Sequence, residues 1–293
     1  MKPIAKQSDK KAGWTIVELL TVMSIITLLI GLLVPAMNRA RKHAKLVKQK
    51  AQFYSINTQI ELFNVEWDGY PPSEAFDEAG ASYCGAIKLC EAMMGQDLLG
   101  FHPDSHFRAD GMDGSIPPIP LYPDPAPPPG DPAYLAYLEN LKSRKGPYLQ
   151  PANANAYRLN DLYPGNTGQF DGKLFVLCDI YNSVRLLSGG KTGMPILYYK
   201  ADTSHSAHNQ GNPSDPENIY NYLDNNELVE LGVPSDPGAE HPLFTAPARF
   251  YELTRNDKVT ATSRPYKADS YILLSAGFDG QYGTGDDVFN FRN

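Results

Sequence analysis

The sequence predicts an α+β protein. A long N-terminal helix, able to cross a membrane in its first half and amphipathic in its second, packs on a small antiparallel sheet, and a large loop-rich insertion interrupts the body. Three observations lead there. Leu19–Ala36 is a run of 18 residues without a charge, about 27 Å of helix at ~1.5 Å per residue, enough to span the hydrocarbon of a bilayer. Beyond it, Leu46, Phe53, Ile56, Ile60 and Phe63 recur at spacings of seven, three, four and three, a stripe on one helix face. The 18 tyrosines and 12 phenylalanines suit half-buried strands, and the 25 prolines and 24 glycines imply much loop.

Charge is unevenly distributed. Residues 1–60 carry ten Lys or Arg against Asp9 and Glu18, a net +8, so the net −7 of the 293-residue chain leaves −15 on the rest. A basic stem carrying an acidic body does not fit a nucleic-acid binder; a basic cluster beside an apolar run suits lipid headgroups or subunit contacts. Cys84, Cys90 and Cys178 are odd in number and cannot all pair within one chain. Cys84 and Cys90, six apart on a predicted helix, point to different faces and do not bridge each other; Cys178 could meet either, and the plainer expectation is three buried small hydrophobes.

The apolar segment opens with an anomaly. Trp14 begins it, yet Glu18 sits five residues in, and a carboxylate inside a bilayer costs a few kcal/mol or more. The hydroxyls of Thr21, Ser24 and Thr27 can bond back to their own helix. The run is too long for the apolar core of a secretory signal, and no small-x-small cleavage pattern follows it. The small residue, Gly13, lies before it instead, preceded by a segment of net +3 (Lys2, Lys6, Lys10 and Lys11 against Asp9). Cleavage after Gly13 would leave the apolar run as the new N-terminus.

The stretch "KKAGWTIVELL", with Pro35 twenty-two residues into the chain counted from Trp14, resembles the type III signal of type IV pilins and type II secretion pseudopilins. Trp14 stands where that family usually has phenylalanine. A weaker likeness continues through "IELFNVEWDGYP" to Pro72, similar to the helix end and turn of the major pseudopilin. The resemblance implies a leader at 1–13, a transmembrane and filament-core helix at 14–37, and a head at 38–293 in the periplasm or outside the cell. The chain would then be a single-pass inner-membrane protein. In a filament, Glu18 would be neutralised by the new α-amino group of Trp14 on a neighbouring subunit, and an unpaired buried charge would select the axial register. The implied partners are identical subunits and other pseudopilins, a prepilin peptidase that cleaves and methylates, and an assembly platform with its ATPase. The cluster Arg39–Lys50, net +6, exceeds the leader, and a positive-inside count alone would place the body in the cytoplasm. The leader motif takes precedence because the peptidase works on the cytoplasmic face.

The remaining elements follow in order. Asn38–Trp67 continues the helix as an amphipathic stem, Pro35 loosens it where it leaves the bilayer, and "DGYPPS" stops it. Residues 82–99 form a second helix that Gly100 could cap, with Met93 and Met94 in the core. The insertion at 101–250 contains Ile116–Pro132, whose nine prolines exclude a helix or central strand. "KLFVLCDIY" (173–181), "PILYYK" (195–200) and "SYILLSAG" (270–277) read as strands.

The C-terminal "SAGFDGQYGTGDDVFNF" places Asp279, Asp286 and Asp287 on a glycine-rich loop between strands. Hard cations take several oxygens at once from carboxylates and carbonyls. The loop is similar to the calcium loop of the major pseudopilin, which implies Ca²⁺ ligands at Asp279 and Asp286, with Asp287 a third or a decoy; the alternative is a solvated Asp/Gly hairpin. His205 with His208, and His102 with Asp104 and His106, are too loose for a zinc site or an enzyme. No nucleophile elbow, phosphate loop or metalloprotease helix is present. A structural filament subunit is the first expectation and not an enzyme. Its rivals are a membrane-tethered enzyme and a ligand-binding minor pilin whose inserted head carries the activity.

Overall fold

The computed structural model describes residues 13–150, 154–209, 211–236 and 238–291. Residues 1–12 of the expected leader lie outside the described residues. The chain divides into two compact units, Met1–Lys45 and Leu46–Asn293.

In the first unit, helix α1 (Ile16–Trp67) begins and runs without interruption through Pro35. It is long and apolar enough to cross a membrane. From Gly13 to Ala44 every residue is exposed. Thr21 and Ser24 donate to the carbonyls of Glu18 and Thr21 at 2.9 Å, and Thr27 to that of Met23 at 2.8 Å. The polar atoms of the run are thus satisfied within the helix, which makes them compatible with lipid.

In the second unit, the rest of α1 buries Gln49, Phe53, Ile56, Ile60 and Phe63. The stripe is the expected one except at its start: Leu46 stays exposed, and Gln49 takes the buried position one turn before Phe53. Gln49 Oε1 accepts from the Ile180 amide at 3.1 Å, which satisfies half of the buried amide, while its Nε2 has no hydrogen-bond partner among the described residues.

A three-stranded antiparallel sheet is the centre of this unit. Strands β5 (Leu197–Lys200), β6 (Tyr271–Ser275) and β7 (Val288–Phe289) lie in that order, with Leu197 opposite Leu274 and Leu274 opposite Phe289. Alternate side chains go to different cores, as the two-residue period of a strand demands. Tyr198, Tyr271, Leu273 and Val288 join the stem residues Phe53, Ile56, Ile60 and Phe63. Leu197, Tyr199, Ile272, Leu274 and Phe289 join a second core. That second core is built largely from the inserted stretch: Leu159, Leu162, Tyr163, Phe170, Leu228 and Phe250, with Tyr251 just beyond it. Residues 101–250 therefore do more than the expected insertion: they supply strand β5 of the sheet, cover one of its faces and add Leu149, Leu177 and Ile196 to the core on the other face, where the stem lies.

Helix α2 (Gly85–Met94) feeds both cores, with Ile87 in one and Leu89, Met93 and Met94 in the other. It ends earlier than expected, at Gly95 and not Gly100. Gly95 has φ +77° and its amide donates to the Glu91 carbonyl at 2.7 Å. A Cβ there would lie 2.1 Å from the Gly100 carbonyl oxygen, so the first glycine stops the helix and the second receives the returning chain. Residues 116–132 contain neither helix nor strand. Helix α3 (Tyr134–Ser143) follows and buries none of its residues. Two further two-stranded antiparallel pairs, β1 (Ala156–Arg158) with β2 (Phe175–Leu177) and β3 (Val184–Arg185) with β4 (Lys191–Thr192), and short helices α4 (Leu159–Leu162), α5 (Asn226–Glu230), α6 (Pro242–Thr245) and α7 (Ala248–Thr254) complete the unit.

Candidate functional site

The first candidate is the start of α1. Gly13 and Trp14 precede the helix and are exposed. Thr15 occupies the N-cap position, and Glu18 is the third residue of the helix. The Glu18 carboxylate accepts from the Thr15 amide and hydroxyl, both at 2.8 Å, while Thr15 Oγ1 accepts from the Glu18 amide at 3.2 Å. This reciprocal arrangement is a capping box. It satisfies amides that an apolar surrounding would otherwise leave bare. Glu18 thus has a local role that the sequence reading missed, although its signal, Thr-x-x-Glu before an apolar run, was in plain view. Pro35 lies within the exposed apolar part of the helix.

The second candidate is the loop joining β6 to β7. Gly277 turns it with φ +68°, and a Cβ there would lie 2.2 Å from the Asp286 carbonyl oxygen. Asp286 organises the loop: its Oδ2 accepts from the amides of Phe278 at 2.7 Å and Asp279 at 3.0 Å, and its Oδ1 accepts from the Thr284 hydroxyl at 2.6 Å. Asp279 Oδ1 accepts from the Gln281 amide at 2.8 Å, and Asp287 Oδ2 from the Gly283 amide at 2.8 Å. Arg249 Nη1 donates to the Gly283 carbonyl at 2.6 Å.

The three carboxyls are close enough to perturb one another. Burial, and then the facing Asp286 carboxylate, push Asp279 up. Burial also works to raise Asp286, but the Thr284 hydroxyl and the loop amides outweigh it and hold its carboxyl below the usual range. Asp287 is pushed up to about 8, chiefly by burial, with Asp286 and Asp279 adding to the effect. Its Oδ1 is buried and has no hydrogen-bond partner among the described residues. These side chains offer a cation an unspent oxygen and relief from mutual repulsion. Among the described residues, no group of three or more His, Cys, Asp or Glu is arranged to hold a metal.

His208 and His102 are held by structural hydrogen bonds. His208 is buried and its Nε2 accepts from the Tyr220 amide at 3.1 Å, so its loop is anchored in the core rather than merely polar. His102 Nδ1 accepts from the Asp104 amide at 3.2 Å, and its Nε2 lies 2.9 Å from the Ser143 hydroxyl. Cys84, Cys90 and Cys178 are free and buried.

Compared with known proteins, the chain matches no family, no curated protein and no solved structure.

Proposed function

We propose that the chain is a pseudopilin-like subunit of a type II secretion or type IV pilus-like filament. In this reading it is anchored as a single pass in the inner membrane with its head periplasmic or extracellular. A prepilin peptidase removes residues 1–13 and methylates Trp14. A platform protein and its ATPase then drive assembly with identical subunits and other pseudopilins. The observation that carries this reading is the apolar first part of α1, exposed through Ala44, with the Glu18 carboxylate in its first turn just after Gly13 and Trp14. Such a surface needs lipid or other copies of the same helix to cover it. The pilin-like architecture is proposed on the same footing: the stem of α1 lies against an antiparallel sheet whose last strands frame an acidic loop.

The decisive experiment separates the two roles of Glu18. Glu18→Gln keeps a side chain able to complete the capping box but removes the charge, whereas Glu18→Ala removes both. Both variants should insert in the membrane, and both should fail to form filaments with wild-type register, because the Trp14 amine loses its buried counter-charge. If Glu18→Gln assembles at wild-type yield, the residue serves the cap alone and the charge-pairing idea falls. Intact-mass measurement of the protein from its native host should give Trp14 as the N-terminus. A chain that retains residues 1–13 would overturn the processing.

Ca²⁺ is proposed at the β6–β7 loop, held by Asp279 and Asp286 with Asp287 as a third oxygen donor; the cation would supply the positive charge that lets these carboxyls ionise together. Saturating Ca²⁺ should raise stability, by about 2.7 kcal/mol when its free concentration is roughly a hundred times the dissociation constant. Mg²⁺ should do less, since it gives up water reluctantly. Asp279→Ala should lose most of the gain and Asp287→Ala less. Equal melting temperatures in chelator and in millimolar Ca²⁺ would make the loop an ordinary hairpin.

A further inference from the structure

A polar cavity of about 410 Å³ opens among the turn after the stem, β5 and the segment leading into α5. The filament reading makes no use of it. Its floor carries Asp224, a carboxyl only 5% exposed, beside the buried Ser73 and Asn218. The Ser73 hydroxyl donates to Asp224 Oδ2. Asp224 Oδ1 has no hydrogen-bond donor among the described residues and retains a face on the cavity. Oδ1 thus faces the cavity with no protein donor of its own and is open to a donor brought from outside.

The chemistry of the walls narrows what that is. Glu74 and Asp202 stand at the rim with most of their side chains in solvent, and Lys200 is the single base among the residues lining the cavity. Lys88 attracts Asp224 from α2, but its ammonium is already engaged: it donates to the carbonyls of Glu74 at 2.8 Å and Phe76 at 2.9 Å and lies 3.7 Å from the Glu74 carboxylate. The balance at the cavity is negative. The cavity also has an apolar side, formed by Ala201, Pro216 and Ile219. It is far larger than a bare ion requires, and no cluster of three metal-ligating side chains accompanies Asp224 among the described residues.

We propose that this cavity binds a primary alkylammonium group, with Asp224 Oδ1 accepting from the ammonium and the methylenes lying along Ala201, Pro216 and Ile219. The class covers free alkylamines and lysine side chains alike. The proposal is independent of filament assembly. It carries a built-in pH dependence. Without a ligand, burial pushes Asp224 up to about 8; Glu74 adds to this, while the Ser73 hydroxyl and Lys88 oppose it. Tyr199 and Tyr251 also face Asp224, and burial pushes both hydroxyls up, so they stay neutral. At the rim, the Ser204 hydroxyl and then its amide hold Asp202 below the usual carboxylate range. Binding a cation therefore expels the Asp224 proton, and affinity climbs as pH rises toward the range where that proton is already gone.

The test uses the full chain in detergent micelles, titrated calorimetrically with n-butylammonium chloride and with Nα-acetyl-lysine N-methylamide. Both should bind, at least about tenfold more tightly near pH 8.5 than near pH 6. Tighter binding of the lysine derivative would identify polypeptide lysines as the source, and tighter binding of butylammonium would identify free amines. Asp224→Asn keeps an acceptor for Ser73 and should weaken both ligands by about tenfold or more, while its cooperative melt shows that it folds. Lys200→Ala should strengthen binding, because a like charge leaves the rim. Failure of both ligands to bind, a pH-independent affinity, wild-type affinity in Asp224→Asn, or displacement by equimolar Ca²⁺ would each overturn the proposal.

Discussion

His208 and His241 are buried in the neutral form, and Asp224 and Asp287 are buried as acids, so single residues impose opposing pH dependences on this protein. His241 Nδ1 accepts from the Tyr282 amide at 3.2 Å, and its Nε2 lies 3.1 Å from the Gly232 carbonyl, an arrangement that requires one proton and no more. Burial pushes both histidines down to about 4. Their folded-state pKa is below the unfolded value, so their contribution is complete above about pH 6.5 and is lost as pH falls through about 4. Asp224 has the other sign: its pKa is raised, so the stability it contributes is complete below about pH 3.8 and is lost as pH rises through about 8. Urea unfolding should therefore show the advantage of Asp224→Asn over the wild type growing between about pH 4 and pH 8, by up to ~5 kcal/mol. The deficit of His241→Gln should shrink as pH falls over about 6.5 to 4, by up to ~3 kcal/mol. Shifts of the reverse sign would refute these assignments. Neither carboxyl was legible as a buried acid in the sequence. Ser73 and Asp224 are 151 positions apart, and no spacing rule brings together two polar residues on separate loops. Thr15 and Glu18 were legible by contrast, because a capping box is local in the chain.

Among the elements, the stem half of α1 was the most legible, since a single helix face must supply its whole apolar contact. Ile60 is fully buried in that face and Val65 is 82% exposed on the same helix. Ile60→Ala should cost about 3 kcal/mol of unfolding free energy, and Val65→Ala within about 0.5. Equal costs would mean that the stem does not pack as described. The end of α2 was less legible because Gly95 and Gly100 carry the same stop signal, and only the tertiary approach of Gly100 to Gly95 decides between them. Strands β5 and β6 were found in place because aromatic and branched residues crowd them. The second core was not foreseen. Its residues come from short helices and loops such as α4, α5 and α7, each too brief to show a period.

At the scale of the whole molecule, every residue of both cores lies C-terminal to the exposed apolar run. A chain that starts at Leu46 should therefore be soluble and unfold cooperatively, whereas the full chain should need detergent or membranes. An aggregated or non-cooperative truncated head would show that the first 45 residues contribute to folding. The order in which the two sides of the stem core are synthesised matters as well. Phe53, Ile56, Ile60 and Phe63 come early, and their cover on β6 and β7 comes last. Asn57 meets Asn290 across 233 positions of chain. At about 5–20 residues per second, the stem waits roughly 10–50 s, with only α2 and the segments after it to cover part of its face, for the strands that complete its core. A nascent chain of this protein must therefore carry a half-sheathed hydrophobic ridge through much of its synthesis, and a ribosome that stalls before β6 would release a product whose stem can never be fully closed.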